Sequence, residues 1–246
     1  MIATFKVFSA LLSYPTEELQ AAAPEFTAEL KREAMIGDDE IASITTLVDQ
    51  LASDDIYILQ ERYVDLFDRS RYVSLHLFEH VYGESRDRGQ MMVELIERYR
   101  SQGLDIAIPE LPDYLPLYLE YLAQLPIVRA LVELAEPVAV ILALADRLEK
   151  KGSPYGSVLR ALGRLANQVP DPQAIDDLSR EQDLDAHDPA ALDQQWKDDP
   201  VVFSAALGQR RMNIELVAAR SSTVRQSAPL ETEPSSGLPP SEGERR

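Results

Sequence analysis

Two of the chain's three histidines stand four positions apart in "HLFEH", running from His76 to His80, with Glu79 between them. That is H-x-x-E-H, a spacing used by a class of zinc peptidases. Side chains four apart share one face of a helix. Two imidazoles there could grip one metal while the glutamate activates a bound water. Such a centre also needs a third ligand, and with 42 Asp and Glu in the chain no single acid stands out. The competing reading packs one histidine in the core and leaves the other at a polar edge. Other catalytic signatures are missing. "GESRD" lacks the final glycine of a nucleophile elbow, and neither a G-x-G-x-x-G nor a Walker loop occurs. Doubled carboxylates at 38–39, 54–55, 176–177 and 198–199 fall in loops and helix starts, where capping and solvation account for them. The absence of cysteine excludes disulfides, thiolate zinc sites, iron–sulfur clusters and cysteine nucleophiles.

The elements that must position these residues read as helix after helix. Phe5, Phe8, Leu11 and Leu12 fall at helical spacing over 3–13. Pro15 suits the first turn of a second helix, which Pro24 is expected to break or bend. "GDDE" at 37–40 reads as a loop and cap before a stripe of Ile41, Ile44, Leu47, Val48 and Leu51. Ile56, Leu59, Tyr63, Leu66 and Phe67 line one side of the next helix. Met92, Leu95, Ile96 and Tyr99 form the buried face of another, with Gly103 as its C-terminal cap. Asp113 reads as the cap of a helix with Pro116 in its first turn and Leu115, Tyr118, Leu119 and Leu122 facing inward. A long helical stretch from Val128 to Lys150 should kink at Pro137, and Ser153 with Pro154 opens one more helix. No strand emerges. The expected fold class is all-α, a single globular domain of roughly eight to ten helices. The core should span 1–170. An acidic stretch, 171–220, holds short helices that pack back through Trp196 and "VVFSAAL", and a Ser-, Pro- and Glu-rich tail, 221–246, is expected to be disordered.

The bulk numbers narrow the partners. A formal net charge of −18 repels phosphate backbones, so nucleic acid is an unsuitable partner and basic peptides or surfaces are suitable ones, unless the acidity serves solubility alone. The N-terminal apolar core "VFSALL" is too short for a secretory signal and is followed by Glu17 and Glu18. The longest uncharged apolar run, "VAVILALA" at 138–145, falls far short of the ~20 residues that span a bilayer. The expectation is a soluble, cytoplasmic protein with no membrane insertion.

One segment is unusual for a plain surface. "FEHVYGESRDRGQ" gathers Glu79, His80, Glu84, Arg86, Asp87, Arg88 and Gln90 around Gly83. The two arginines could simply pair with nearby acids. Alternatively, these residues form a polar rim beside an apolar groove made by Leu75, Phe78, Tyr82 and Tyr114, with Asp113 and Tyr118 close by. Such a groove suits an amphipathic peptide helix.

"YVDLFD" at 63–68, "LFEHVYGESRDRGQMMVEL" at 77–95, "ELPDYLPLYLEYLAQLP" at 110–126 and the earlier "LLSYP" resemble the NarJ family, molybdenum cofactor assembly chaperones of respiratory nitrate reductase within the TorD/DmsD-like group. The resemblance is close over residues 5–150 and fades to Trp196 and "PVVF" beyond. It implies an all-helical, non-enzymatic chaperone. That chaperone binds the N-terminal leader of the catalytic subunit and holds it in the cytoplasm until molybdopterin guanine dinucleotide is inserted, before membrane assembly. No cofactor would be bound stably, and molybdenum cofactor biosynthesis proteins would be further partners. The resemblance places Leu77, Phe78, Glu79, His80, Gly83, Glu84, Arg86, Asp87, Arg88, Gly89 and Gln90 in one signature and Glu110, Pro112 and Asp113 in a second. The family pattern has a second histidine where Tyr82 stands and none at His76, which weakens the metal reading. On this basis the leader's cations are expected near Glu79, Glu84, Asp87 and Asp113. His80, with an ordinary pKa of about 6.5, would make binding pH-sensitive. A chaperone for another molybdoenzyme, of the dimethyl sulfoxide or trimethylamine N-oxide reductase type, and a zinc hydrolase using His76 and His80 are the alternatives.

Overall fold

The computed structural model describes residues 1–69, 71–83, 85–106, 110–166 and Leu178. The chain divides into two compact units, Met1–Asp199 and Pro200–Arg246, and every described residue belongs to the first. The expectations for 171–220 and 221–246 therefore lie outside the described residues, Leu178 excepted.

Ten α-helices make up the described fold: α1 Ala3–Leu12, α2 Glu17–Glu33, α3 Asp38–Ser53, α4 Ile56–Tyr63, α5 Glu79–Tyr82, α6 Arg86–Ser101, α7 Leu115–Gln124, α8 Ile127–Leu134, α9 Val138–Lys150 and α10 Tyr155–Leu165. A π turn, Val64–Asp68, and a 3-10 turn, Arg71–Val73, lie between α4 and α5. The only extended pairing among the described residues is an isolated antiparallel bridge between His76 and Tyr114. Among the described residues no helix is long and apolar enough to cross a membrane.

The core forms around α1, which packs against α2, α7 and α10. Its Phe5, Phe8, Leu11 and Leu12 are buried, so the apolar spacing read from the sequence is the spacing of a central helix. The start of α1 has no capping side chain of its own. Glu33, the last residue of α2, supplies the cap: its carboxylate accepts the N–H groups of Ala3 at 2.9 Å and Thr4 at 2.5 Å. Its carboxyl is held below the usual range. Burial works against this, but the bonds from Thr4 and Ala3 and the charge of Arg32 outweigh it. Ser9 donates to the Pro116 carbonyl at 2.8 Å, and the Tyr63 hydroxyl donates to the Leu12 carbonyl at 2.9 Å. These bonds pin α1 to the segments that carry the signature.

The α3 stripe of Ile41, Ile44, Leu47, Val48 and Leu51 is buried as its periodicity requires. On α4 and the π turn, Leu59, Tyr63 and Phe67 are buried, and Ile56 and Leu66 pack partly against them. On α6 only Leu95 and Tyr99 are buried, while Met92 and Ile96 are intermediate. Gly103, at φ 75°, follows the C-cap Gln102, and the Leu104 N–H returns to the Tyr99 carbonyl.

Four local expectations need correction. Thr16, not Pro15, opens α2, its hydroxyl accepting the Leu19 N–H. Pro24 does not break α2, because it sits on the exposed face, where water can satisfy the carbonyl that proline leaves unpaired. The stretch from 128 to 150 is two helices, with Ala135 as the C-cap of α8 and Pro137 as the N-cap of α9, rather than one kinked helix. Pro154 occupies the N-cap of α10, and Ser153 makes no side-chain cap.

Candidate functional site

The signature residues converge where four short pieces of chain meet: the 3-10 turn, the bridge-and-turn residues 74–78, the start of α6, and the residues leading into α7. Backbone bonds set the frame. Leu77 N–H donates to the Asp113 carbonyl at 3.0 Å, and Leu115 N–H donates to the Leu75 carbonyl at 2.9 Å. Pro112, next to Asp113, has its carbonyl held by the Tyr99 hydroxyl at 2.7 Å, which ties α6 to the same point.

Asp113 is the hub. It is fully buried, and one carboxylate oxygen accepts the Phe78 N–H at 3.0 Å. The same side chain faces His76 Nδ1 at 3.4 Å and Arg88 Nη2 at 3.8 Å. Arg88 also approaches Glu79 at 3.9 Å, and Glu79 lies 3.5 Å from Arg71. Two acids, two arginines and a histidine thus neutralise one another below the surface. Burial alone would lower the His76 pKa. The Asp113 carboxylate 3.4 Å away, with Glu79 and Glu110 further off, overturns that and holds the imidazole above its ordinary 6.5.

Asp113 therefore does not cap α7. The residue at the cap is Tyr114, and the Asp113 side chain turns inward to meet Arg88 and His76. Glu79 and Asp113 are not open rim acids either, since their charges are already matched. Leu75 and Tyr118 are core residues, and the Tyr118 hydroxyl is spent on the Glu133 carbonyl at 2.8 Å. They cannot line an open groove. Phe78 and Tyr82 are half-buried and meet edge to face, with ring centroids 5.8 Å apart. Tyr114 is half-buried, stacks obliquely on His76 at 5.4 Å and shares a hydroxyl–hydroxyl bond of 2.8 Å with Tyr63. Burial pushes the Tyr114 phenol up to about 12. Arg86, Asp87 and Gln90 are exposed on the first turns of α6, away from the hub, and Gln90 donates to Glu94 at 3.1 Å. Glu84 lies outside the described residues. Gly83 ends α5 at φ 52° and ψ −131°, a conformation that L residues avoid.

The histidine pair is not a metal grip. His76 lies in the bridge before α5, not on a helix with His80, so the two imidazoles do not share a helical face. Both ring nitrogens of His80 already have partners: Nε2 the Ser74 carbonyl at 2.8 Å, and Nδ1 the Arg147 guanidinium at 3.3 Å. Among the described residues no group of three or more His, Asp and Glu could hold a metal ion.

Arg147 is the residue that sequence reasoning passed over. It is 1% exposed in the last turn of α9. Nη1 donates to the Tyr72 carbonyl at 2.6 Å, the guanidinium lies 4.6 Å above the Tyr72 ring, and Nη2 donates to the Leu178 carbonyl. It holds the 3-10 turn and His80 in place from below. An arginine inside the apolar run "VAVILALADRL" was the available signal.

In this arrangement the charges face one another across the junction of these segments. Comparison with known proteins places the chain in a family. Residues 16–161 match the family described as the nitrate reductase delta subunit. The chain is 37% identical over 202 residues to the nitrate reductase molybdenum cofactor assembly chaperone NarJ of Escherichia coli strain K12, covering 82% of this chain and 85% of that one. It is 34% identical over 160 residues to the protein named NarJ in Bacillus subtilis, covering 65% and 85%. In fold it resembles a redox enzyme maturation protein from Archaeoglobus fulgidus, with a TM-score of 0.51 at 23% identity over 68% of this chain and 94% of that chain. The matched span contains the whole Asp113 hub, and the chain belongs to the nitrate reductase delta subunit family, the family of the NarJ chaperones.

Proposed function

We propose that this protein is a dedicated, non-catalytic chaperone of nitrate reductase assembly. It binds the apo catalytic subunit through that subunit's N-terminal leader, in the cytoplasm. It holds the subunit while molybdopterin guanine dinucleotide is inserted, and releases it for assembly at the membrane. It keeps no cofactor of its own, and proteins of molybdenum cofactor biosynthesis are its further partners.

The observation that carries this reading is the likeness to a nitrate reductase molybdenum cofactor assembly chaperone along 82% of the chain. The acid excess of −18 supports it, since a basic, amphipathic leader is drawn to such a surface. A zinc hydrolase is disfavoured by the separated histidines and the occupied ring of His80. Nothing in the fold favours a dimethyl sulfoxide or trimethylamine N-oxide reductase as the partner.

The test is co-purification. The tagged protein, expressed beside the catalytic subunit of nitrate reductase, should retain that subunit, and most of the binding should disappear when the leader is deleted. Failure to retain the intact subunit refutes the proposal. Full retention without the leader refutes the leader as the point of contact.

A further inference from the structure

α8 is turned the wrong way round for an ordinary surface helix. In "IVRALVEL", Ile127, Val128, Leu131 and Val132 fall at i, i+1, i+4 and i+5. That spacing makes an apolar stripe about 140° wide, with Arg129 and Glu133 on the other side. Such a helix normally buries its stripe and leaves its charges in water. Here the acid goes in and the valines stay out: Glu133 is 7% exposed, whereas Ile127 is 42%, Val132 57% and Val128 73% exposed. Of the stripe, Leu131 packs partly against the core. Three of the ten exposed large apolar side chains among the described residues thus sit on one eight-residue helix, where single, scattered ones are the rule. The opposite side is fixed on the domain. Ala130, Glu133 and Leu134 are buried, and the Tyr118 hydroxyl of α7 donates to the Glu133 carbonyl at 2.8 Å.

The charges beside the stripe indicate what covers it. Arg129 donates to the Glu133 carboxylate at 2.8 Å, and Glu136, just beyond α8, accepts from Arg98 of α6 at 2.8 Å. Two acids face two arginines there, so a strongly basic or acidic peptide finds no surplus charge to pair with. A second copy does find its complement. Arg129 and Glu136 are seven residues, or two turns, apart and therefore share one flank of the stripe. Two copies of α8 packed antiparallel about a two-fold axis present that flank to each other, with Val128 of one opposite Val132 of the other. Arg129 of each copy then comes within side-chain reach of Glu136 of the other, and the two helix dipoles oppose. At −18 the chain repels copies of itself over most of its surface, and a flank with closed charges is where that repulsion is least.

We propose that the exposed stripe of α8 is a self-association surface, which takes α8 of a second copy of this chain in an isologous, antiparallel pair. The helix is about 12 Å long. Alone it buries less than the ~800 Å² per copy of a stable complex, so the dimer is a weak one that forms on concentration and separates on dilution.

The test is sedimentation of the full chain between about 10 µM and about 1 mM, a range suited to a weak contact. Wild type is compared with Val128→Asp, Val132→Asp and, as a remote control, Tyr57→Asp at an exposed position of α4. Thermal unfolding checks that each variant stays folded. Wild type and Tyr57→Asp should move from monomer toward dimer together, and each valine change should weaken the dimer about tenfold or more. The orientation has its own readout, because the chain contains no cysteine. A mixture of Val128→Cys and Val132→Cys should cross-link under mild oxidation more readily than either variant alone. A wild type that stays monomeric throughout, or an association that both valine changes leave intact, overturns the inference. Cross-linking no better in the mixture overturns the antiparallel pair. A monomeric wild type whose affinity for a titrated leader peptide falls in Val128→Asp assigns the stripe to that peptide and not to a second copy.

Discussion

Replacing Asp113 with asparagine removes one charge from the interior and almost nothing in size. The carboxylate is fully buried, accepts the Phe78 N–H at 3.0 Å, and faces His76 at 3.4 Å and Arg88 at 3.8 Å. Removing one member of a buried ion pair costs about 3–5 kcal/mol, because the partner's charge is left in a low dielectric. Two features bring Asp113→Asn to the low end. Its ionic contacts are longer than the ~2.7–2.9 Å of a strong charge-assisted bond. Arg88 also keeps Glu79 at 3.9 Å, and His76 can release its proton. The expected loss is about 3 kcal/mol. Alanine also strips the Phe78 N–H of its acceptor, which adds about 1–2 kcal/mol. For a domain of this size about 3 kcal/mol lowers the melting temperature by about 6–12 °C. Urea unfolding followed by far-UV circular dichroism measures the loss. A double-mutant cycle with Arg88→Met should show a coupling above about 1 kcal/mol. Asp113→Asn within about 0.5 kcal/mol of wild type, or simple additivity with Arg88→Met, refutes the hub as a structural tie.

Three further outcomes follow from the same geometry. The His76 pKa is raised in the fold, so its pair with Asp113 contributes fully below the ordinary value of 6.5 and loses that contribution as pH rises through the folded value. The stability difference between wild type and His76→Gln should shrink toward alkaline pH, and a flat difference contradicts the pairing. The Glu33 pKa is lowered, so its cap of α1 contributes above the ordinary 4.5 and is lost as pH falls through the folded value. Glu33→Ala should cost about 1–2 kcal/mol near neutrality, with the difference vanishing in acid; a constant difference would show that the carboxylate charge is not involved. Gly83→Ala should cost about 1–3 kcal/mol in chemical unfolding, because alanine resists the backbone angles at the end of α5, and a negligible change would argue that this turn is not held as described.

Much of the helical plan was legible because it depends on near-neighbour periodicity. The α3 stripe from Ile41 to Leu51 could be read residue by residue, since a helix with one apolar face has one way to bury it. Its caps were less legible. Pro15 has a residue type that suits a first helical turn, yet the helix starts two residues later behind Thr16, a boundary that residue type alone does not fix. Pro24 and Pro137 look alike in sequence, yet Pro24 leaves its helix whole while Pro137 stands at a helix start, because only the exposure of the freed carbonyl and the packing of the flanking turns separate the two cases.

The candidate site divides in the same way. The sequence by itself determined an acidic, cysteine-free, all-helical chain and marked the segments 63–68, 77–95 and 110–126 as the ones with family-specific text. It could not say what that text does, because charge pairing is a property of distance and not of spacing along the chain. Only the tertiary structure brought Asp113 within reach of Arg88 and His76, turned an expected helix cap into a buried hub, and put Arg147 beneath Tyr72 and His80.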